Sequence, residues 1–268
     1  MTSAQATKHF MKREKVLGQF FTPSEVVNFI LDFISQNLQR RGRAIDHACG
    51  DGMFLKGLVD RGFTNVTGID IDPGVIATIP AYLKGRARVA NTDGLLFKPE
   101  EEFDVVVGNP PFSAKYGRIQ DTNLLSHFVL GQSTRSQPIE LLFLEKFVRL
   151  AAKGGMVGIV LPYGVVSNYN LRRVREYLLK HTDVIAVISL PRFIFNSGRT
   201  TSSKTYILLL RKAKSPGRHK TFMGIVQQLE QLSDVLHCFV RKKSKGVLAH
   251  WQLFLVLVVN KEFYSPRL

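Results

Sequence analysis

The sequence predicts an α/β protein built on a doubly wound, mostly parallel sheet of seven strands. Short runs of β-branched and apolar residues alternate with amphipathic stretches of helical spacing along residues 24–210. This alternation is typical of parallel strands joined by helical crossovers. A glycine-rich turn, Gly50 to Gly52, follows the first strand, and two consecutive prolines, Pro110 and Pro111, end the fourth. Both features are expected at the carboxyl edge of such a sheet, where ligands bind.

The predicted elements follow one another in a simple order. Thr22 is placed to cap a first helix whose opening turn contains Pro23 and Glu25. Strands are predicted at residues 44–48, 65–71, 87–90, 103–107, 156–161, 184–190 and 206–210, with long helices at residues 138–152 and 167–180. Gly154 and Gly155 are expected to terminate the first of these long helices. The stretch at 113–137 lacks periodicity and is expected to form a loop over the mouth of a site.

Composition narrows the class of protein. The chain has 268 residues, a net charge of +16 and two cysteines, Cys49 and Cys238. The charge favours nucleic acid or another polyanion as partner, although a generally basic proteome or a solubility effect would give the same excess. Two cysteines predict no disulfide framework, and no Cys/His spacing typical of a metal site is present. Residues 1–15 lack an apolar signal core, and the apolar run at 253–259 is too short for a bilayer. We therefore expect a cytoplasmic protein without a membrane segment.

The glycine turn indicates which kind of cofactor the first crossover binds. Asp46, Gly50 and Gly52 lie in the order strand, turn, helix, and glycines there allow the backbone to approach a ligand closely. The third glycine of a dinucleotide fingerprint would fall at Leu55, so that fingerprint fails. An acid at Asp46 suits a cationic cofactor that carries an amino acid better than it suits a pyrophosphate.

Three further acids lie at or just after the ends of the next two strands. Asp70 lies about twenty residues beyond the glycines, where an acid at the end of the second strand can bond ribose hydroxyls. Asp72 is an alternative for that role, and it can instead cap the helix that follows Pro73. Asp93 comes after the third strand, where it can accept a hydrogen bond from an adenine amino group or act as an Asp-Gly turn residue.

The strand at 103–107 leads directly into Gly108-Asn109-Pro110-Pro111-Phe112. The prolines stop the strand ladder because they lack an N–H and have a restricted φ. Asn109 is therefore presented on a stiff backbone, with an aromatic ring just beyond it. A carboxamide, backbone carbonyls and a ring form a plausible clamp for a planar group that bears an amine. A Pro-Pro turn that merely leaves a strand is the alternative.

Together, the motifs at Asp46–Gly52 and at Asn109–Phe112 resemble the S-adenosylmethionine-dependent N6-adenine DNA methyltransferases. The Asn-Pro-Pro-Phe form is similar to the modification (M) subunits of type I restriction systems, and the resemblance covers residues 17–210. It implies a Rossmann-like class I methyltransferase fold whose last strand is antiparallel, with S-adenosylmethionine as cofactor and double-stranded DNA as partner. It also implies cofactor contacts from Phe21, Thr22, Pro23, Asp46, Ala48, Cys49, Gly50, Gly52, Asp70, Ile71, Asp93, Gly94 and Asn109, and a catalytic motif of Asn109, Pro110, Pro111 and Phe112.

The chemistry of the catalytic motif follows from the poor nucleophilicity of an adenine amine, whose lone pair is delocalised into the ring. The Asn109 side-chain oxygen and the Pro110 carbonyl can each accept one amino hydrogen and favour a tetrahedral nitrogen. Catalysis then consists mostly of positioning and preorganised polarity. The target base must leave the duplex, and we expect it to stack on Phe112. By resemblance, Phe195 packs against the same base, although both Phe193 and Phe195 could instead plug the end of the core.

Several alternatives stay open from the sequence. RNA adenine methyltransferases and enzymes that methylate glutamine amides in proteins share the Asn-Pro-Pro chemistry, and a non-catalytic subunit can retain the fold. We expect a flexible basic arm at residues 1–16, a catalytic domain at 17–214 and an extension at 215–268. Because the extension is smaller than a typical domain, we expect a specificity subunit or a separate recognition domain as partner within a restriction-modification system.

Overall fold

The structure is a computed structural model that describes residues 22–38, 41–113, 118–132, 134–192, 194, 204–212, 221–244, 254–259 and 262–264. These residues form one sheet flanked by helices. The strands are β1 (Arg43–Asp46), β2 (Asn65–Asp70), β3 (Ala87–Asn91), β4 (Phe103–Gly108), β5 (Ala151–Pro162), β6 (Thr182–Ser189), β7 (Thr205–Lys212), β8 (Phe222–Ile225), β9 (Phe254–Val259) and β10 (Glu262–Tyr264). The helices are α1 (Ser24–Ser35), α2 (Met53–Asp60), α3 (Pro73–Ile76), α4 (Thr122–Ser126), α5 (Ile139–Leu150), α6 (Tyr163–Ser167), α7 (Arg172–His181) and α8 (Leu232–Ser244).

The strand order across the sheet is β10-β9-β8-β6-β7-β5-β4-β1-β2-β3. The seven predicted strands occupy consecutive places, and β7 runs antiparallel to both β5 and β6, so the predicted antiparallel last strand is confirmed. The sheet has ten strands among the described residues, because β8 adds in parallel to β6 and is followed by β9 and β10. The sequence did not predict this addition, since residues 221–264 lack a clear alternation of strands and helices.

Two apolar cores lie on the opposite faces of the sheet. Successive strand side chains point to opposite faces, so Val105 and Val107 pack in the core with α1, α2 and α8, whereas Val106 packs in the core with α5 and α7. Covering both faces explains the nearly continuous apolar runs in β4, β5 and β7. The fold is therefore three layers, helix on sheet on helix.

The described part of the extension packs into the first of these cores. Phe239 of α8 lies 4.3 Å from Phe33 of α1 and 5.4 Å from Phe222 of β8, measured between ring centroids. These contacts attach residues 221–244 to the helix that begins beside the predicted site. The boundaries predicted at residues 16 and 215 fall outside the described residues and stay predictions.

Two predictions about the long helices were wrong. Helix α5 ends at Leu150 and β5 begins at Ala151, while Gly154, with a φ of +82°, lies inside β5 where the register with β4 shifts. The two glycines therefore accommodate a strand irregularity and do not terminate a helix. The helix predicted at 167–180 is divided into α6, a 3-10 turn at Tyr169–Leu171 and α7. Among the described helices, none is long and apolar enough to cross a membrane.

Candidate active site

A cavity of about 340 Å³ opens at the carboxyl ends of β1, β2 and β4. The chain proceeds from β1 outward to β3 on one side and from β4 outward to β5 on the other, so the cavity lies at the topological switch point of the sheet. Its walls are formed by Thr22, Asp46, His47, Ala48, Cys49, Gly50, Asp51, Met53, Phe54, Asp70, Ile71, Val75, Asp93, Gly94, Leu95, Asn109, Pro111, Ile119, Leu124, Ile139 and Phe143.

The glycine turn after β1 is attached to the end of β2 through Asp70. The backbone N–H groups of Gly50 and Asp72 each donate to one Asp70 carboxylate oxygen, both at 2.9 Å. Gly52 has a φ of +83° at the N-cap of α2, a left-handed conformation that favours glycine. The role predicted for Asp72 as a helix cap is confirmed, because its Oδ1 accepts the N–H of Gly74 at 2.8 Å. Asp70 thus stabilises the loop that forms one cavity wall.

Three carboxyl groups give the cavity its electrostatic character: Asp46 and Asp70 are buried, and Asp51 is half-buried. Burial raises the pKa of Asp46 well above its usual value, although the Ala48 N–H opposes this shift by donating to Asp46. Burial also raises the pKa of Asp51 and Asp70. Among the ion pairs of the described residues, none involves these three aspartates. A cationic ligand would therefore stabilise their ionised forms, and S-adenosylmethionine, with its sulfonium and ammonium groups, fits this donor set.

The carboxamide of Asn109 is oriented by a residue far away in sequence. Its Nδ2 donates to the Thr22 hydroxyl oxygen at 3.1 Å. Its Oδ1 is buried and accepts no hydrogen bond from the described residues. The prediction that Thr22 caps α1 was wrong, because α1 begins at Ser24 without a side-chain cap. The hydroxyl instead directs the Asn109 amide so that Oδ1 remains an available acceptor.

Helix α5 holds the end of the Asn-Pro-Pro-Phe segment. Both carboxylate oxygens of Glu140 contact Ser113, one accepting its backbone N–H at 2.9 Å and the other its hydroxyl at 3.1 Å. Glu140 is buried although it is charged. A buried carboxylate with two charge-assisted hydrogen bonds is a strong anchor. The segment is therefore secured on one side by Thr22 and on the other by Glu140.

The far wall of the cavity is apolar and was not predicted. Ile119 and Leu124 come from the stretch after Phe112, and Ile139 and Phe143 come from α5. The expectation that this stretch lies at the site is confirmed for Ile119 and Leu124. The absence of helical or strand periodicity after residue 112 was the only sequence signal.

His47 is a second cavity residue that sequence reasoning missed. Its ring lies 4.2 Å from that of Phe147 and 5.3 Å from that of Phe143. Burial lowers its pKa to about 3, so the imidazole is neutral at physiological pH. The backbone oxygen of His47 also explains why residue 94 is a glycine, because a Cβ at position 94 would lie 2.1 Å from that oxygen.

Most of the predicted site residues line one cavity, but several do not. Asp93 lines the cavity and also accepts the Leu95 N–H at 2.8 Å, so it is a turn residue as well. Phe112 is only 6% exposed and belongs to the core that contains α1, so its stacking role stays a prediction. Among the described residues, four predicted site residues do not line the cavity: Pro23, Gly52, Pro110 and Phe112. Phe21 and Phe195 lie outside the described residues. No cluster of three or more potential metal ligands occurs in the described part of the chain.

The order β3-β2-β1-β4-β5-β7-β6, the glycine turn and the acid at the end of β2 define a class I methyltransferase fold. Comparison with known families agrees with this class. A general methyltransferase domain matches residues 45–109, and the family described as N-6 DNA Methylase matches residues 78–240. The chain belongs to the N-6 DNA methylase family.

Individual relatives come from restriction-modification systems. The chain is 30% identical over 172 residues to the type II methyltransferase M.TthHB8I of Thermus thermophilus, across 59% of this chain and 38% of that protein. It is 23% identical over 205 residues to the type II methyltransferase M.HincII of Haemophilus influenzae, and this match covers 74% of this chain and 38% of that protein. A modification subunit of a putative type I restriction enzyme from Vibrio vulnificus superposes with a TM-score of 0.68 at 19% identity. The superposition covers 93% of this chain and 55% of that subunit. The chain thus spans about two-fifths of the length of these two curated relatives.

Proposed function

We propose that this chain transfers a methyl group from S-adenosylmethionine to the exocyclic N6 of adenine in DNA. The observation that carries the proposal is the buried, unpaired Oδ1 of Asn109 at the edge of an acid-lined cavity. A buried acceptor without a donor is costly, so a substrate donor at this position stabilises the site. An adenine amine supplies such a donor, and membership of the N-6 DNA methylase family supports adenine as the base.

The residues of the chain do the positioning. S-adenosylmethionine, when bound, supplies an electrophilic methyl group on a sulfonium. Asn109 Oδ1 and the Pro110 carbonyl accept the two amino hydrogens, which directs the nitrogen lone pair towards that methyl group. The new N–C bond forms as the C–S bond breaks, and the methylated nitrogen then loses one proton to solvent. Preorganised acceptors of this kind need no reorganisation during the reaction.

We further propose that recognition of the DNA sequence comes from another domain or from a specificity subunit. The seven strands β1 to β7 and the helices between them belong to the methyltransferase fold, and the chain covers only part of the length of its relatives. The substrate would place the reaction in the cytoplasm. If the chain requires a recognition partner, it will elute as a monomer in gel filtration and methylate DNA slowly and with little sequence preference. Rapid, site-specific methylation by the monomer would contradict this part of the proposal.

The decisive experiment is transfer of labelled methyl groups to genomic DNA, followed by digestion to nucleosides and identification of the product. We expect label in N6-methyladenine and none in methylcytosine. Total RNA and a glutamine-containing peptide serve as alternative acceptors. The Asn109→Ala variant controls for contaminating activity. Label in RNA or peptide but not in DNA would reject the proposed substrate.

A further inference from the structure

An aromatic surface lies beside the active site but outside its cavity. Tyr163 follows β5 directly, and its ring stacks on that of Tyr206 at the start of β7, with a centroid distance of 5.3 Å and an interplanar angle of 25°. Tyr163 is 44% exposed and Tyr169, six residues later, is 81% exposed. We name these three tyrosines, together with Lys204, the aromatic ledge.

The ledge is a built surface and not a single stray ring. The backbone N–H of Tyr163 donates to the Lys204 carbonyl at 2.8 Å, which ties the end of β5 to the start of β7. The Lys204 ammonium lies 5.6 Å from the centroid of the Tyr163 ring, within cation–π range. Tyr206 stacking and this backbone bond restrict the Tyr163 side chain. A restricted, exposed ring loses little entropy when a flat partner stacks on it.

The position of the ledge relates it to the methyl-acceptor site. Strands β4 and β5 are parallel neighbours, so Asn109 and Tyr163 both follow carboxyl ends at the same edge of the sheet. Because β7 is antiparallel to β5, Lys204 precedes β7 at that edge too. The ledge therefore lies at the same edge of the sheet as Asn109, beside the neighbouring strand.

The charge around the ledge indicates the chemistry of its partner. Two of the described cations lie at this edge, since the exposed Arg192 closely follows β6 and Lys204 directly precedes β7. On the neighbouring helix α7, Arg172 is paired with Glu176 at 2.7 Å, and Arg173 is exposed. Exposed aromatic rings among cations are the combination that binds unpaired nucleic acid, because bases stack on the rings while the cations contact phosphates.

We propose that the aromatic ledge binds an unpaired nucleotide of the DNA strand next to the target base. The proposal rests on the proposed function and adds a second, non-catalytic contact for the opened strand. Removal of one base from a duplex leaves its neighbours without a stacking partner, and Tyr163 and Tyr169 would replace that partner. The ledge contacts no atom that reacts and serves to hold the substrate.

The test is binding of a fluorescent single-stranded oligothymidylate by anisotropy. Tyr163→Leu should weaken binding roughly 5- to 100-fold, the range that loss of one base-stacking ring produces. Tyr163→Phe should bind as the wild type does, because it retains the ring. Tyr169→Leu should also weaken binding, and its high exposure makes loss of folding a poor explanation. Lys204→Gln should reduce the slope of log affinity against log salt by about 0.7.

Tyr82→Leu is the matched control. Tyr82 is 40% exposed and lies under Lys56 at 5.8 Å, but it precedes β3 and is remote from Asn109 in the sheet. Equal oligothymidylate affinities for Tyr163→Leu, Tyr169→Leu and the wild type would contradict the proposed role of the aromatic ledge. An equal loss of affinity in Tyr82→Leu would contradict it too. If the wild-type protein methylates DNA but does not bind the oligothymidylate, the binding role of the aromatic ledge is rejected and the proposed function is not. Wild-type protein that labels no DNA would instead reject the proposed function.

Discussion

The two sides of the active-site cleft differ in charge, although strands of one sheet form both. The cofactor side, residues 43–96, contains six Asp residues and six Lys or Arg residues. On the substrate side, Arg192 closely follows β6 and Lys204 directly precedes β7 at the same edge of the sheet. On the cofactor side, Asp46, Asp51 and Asp70 line the cavity itself. Asn109 directly follows β4, which lies between the two sides.

This difference shows how one sheet edge can hold two ligands of opposite charge. Buried carboxylates are costly when unpaired, and a cationic cofactor lowers that cost. On the other side, the exposed Arg192 attracts a polyanion and is not desolvated until that polyanion binds. Charge therefore separates the ligands, while the neutral amide of Asn109 acts where they meet. The predictions below test whether the two sides function independently.

The largest effect on methyl transfer is expected from Asn109→Ala, because Asn109 lies where the cofactor side and the substrate side meet. Loss of one preorganised hydrogen-bonding group at a reacting centre typically reduces turnover about 10²- to 10³-fold. We expect that reduction in methyl transfer to DNA, measured with labelled cofactor. Calorimetric cofactor affinity, oligothymidylate affinity and melting temperature should all stay close to wild type. Turnover within about twofold of wild type would contradict the assigned mechanism.

Asp70→Ala should affect the cofactor side alone. The substitution removes the acceptor for the Gly50 and Asp72 N–H groups. Hydrogen bonds to a charged group are worth about 1.5–3 kcal/mol, which corresponds to a roughly 10- to 100-fold loss of cofactor affinity by calorimetry. DNA affinity should be unchanged. The control is Asp60→Ala, since Asp60 lies on the surface and pairs with the exposed Lys56. Equal cofactor affinities for the two variants would argue against the role of Asp70.

Glu140 should act on turnover without altering either binding step. Glu140→Ala removes both contacts to Ser113, and we expect the methyl-transfer rate to fall about 5- to 10-fold, with KM for cofactor unchanged. Glu140→Gln keeps one acceptor and should restore part of the rate. Faster amide hydrogen exchange at 112–113 in Glu140→Ala would identify loosening of the segment as the cause. A change in KM at constant turnover would contradict the positioning role.

The smallest effect concerns pH and the acid cluster. The pKa values of Asp46, Asp51 and Asp70 are raised, so the folded free protein binds protons more tightly than the unfolded chain. Their contribution to stability is complete below the ordinary carboxyl pKa and is lost as pH rises through the raised values. Because cofactor binding favours the ionised forms, the cofactor-induced increase in melting temperature should grow by about 2 °C between about pH 5 and about pH 7. A cofactor-induced increase in melting temperature that stays constant or decreases over this pH range would contradict a role for the three aspartates in cofactor binding. Asp46→Asn should reduce the dependence of this increase on pH.

Much of the architecture was predictable because it depends on local sequence. The β-branched runs of β2 and β4, the glycines around Asp51 and the prolines after Asn109 each restrict the backbone within a few residues. The order of these signals then gives the sheet through the handedness of crossovers. Strands β8 to β10 were missed because residues 221–264 show no clear alternation of strand and helix patterns.

The sequence by itself determined which residues follow each strand, and therefore that Asp46, Asp70 and Asn109 meet at one sheet edge. Only the tertiary structure decided how those groups are held. Thr22 contacts Asn109 across 87 positions and Glu140 contacts Ser113 across 27, while Phe112 turns into a core. Such contacts depend on how helices pack on the finished sheet, and side-chain burial at that stage is a long-range property that no local pattern encodes.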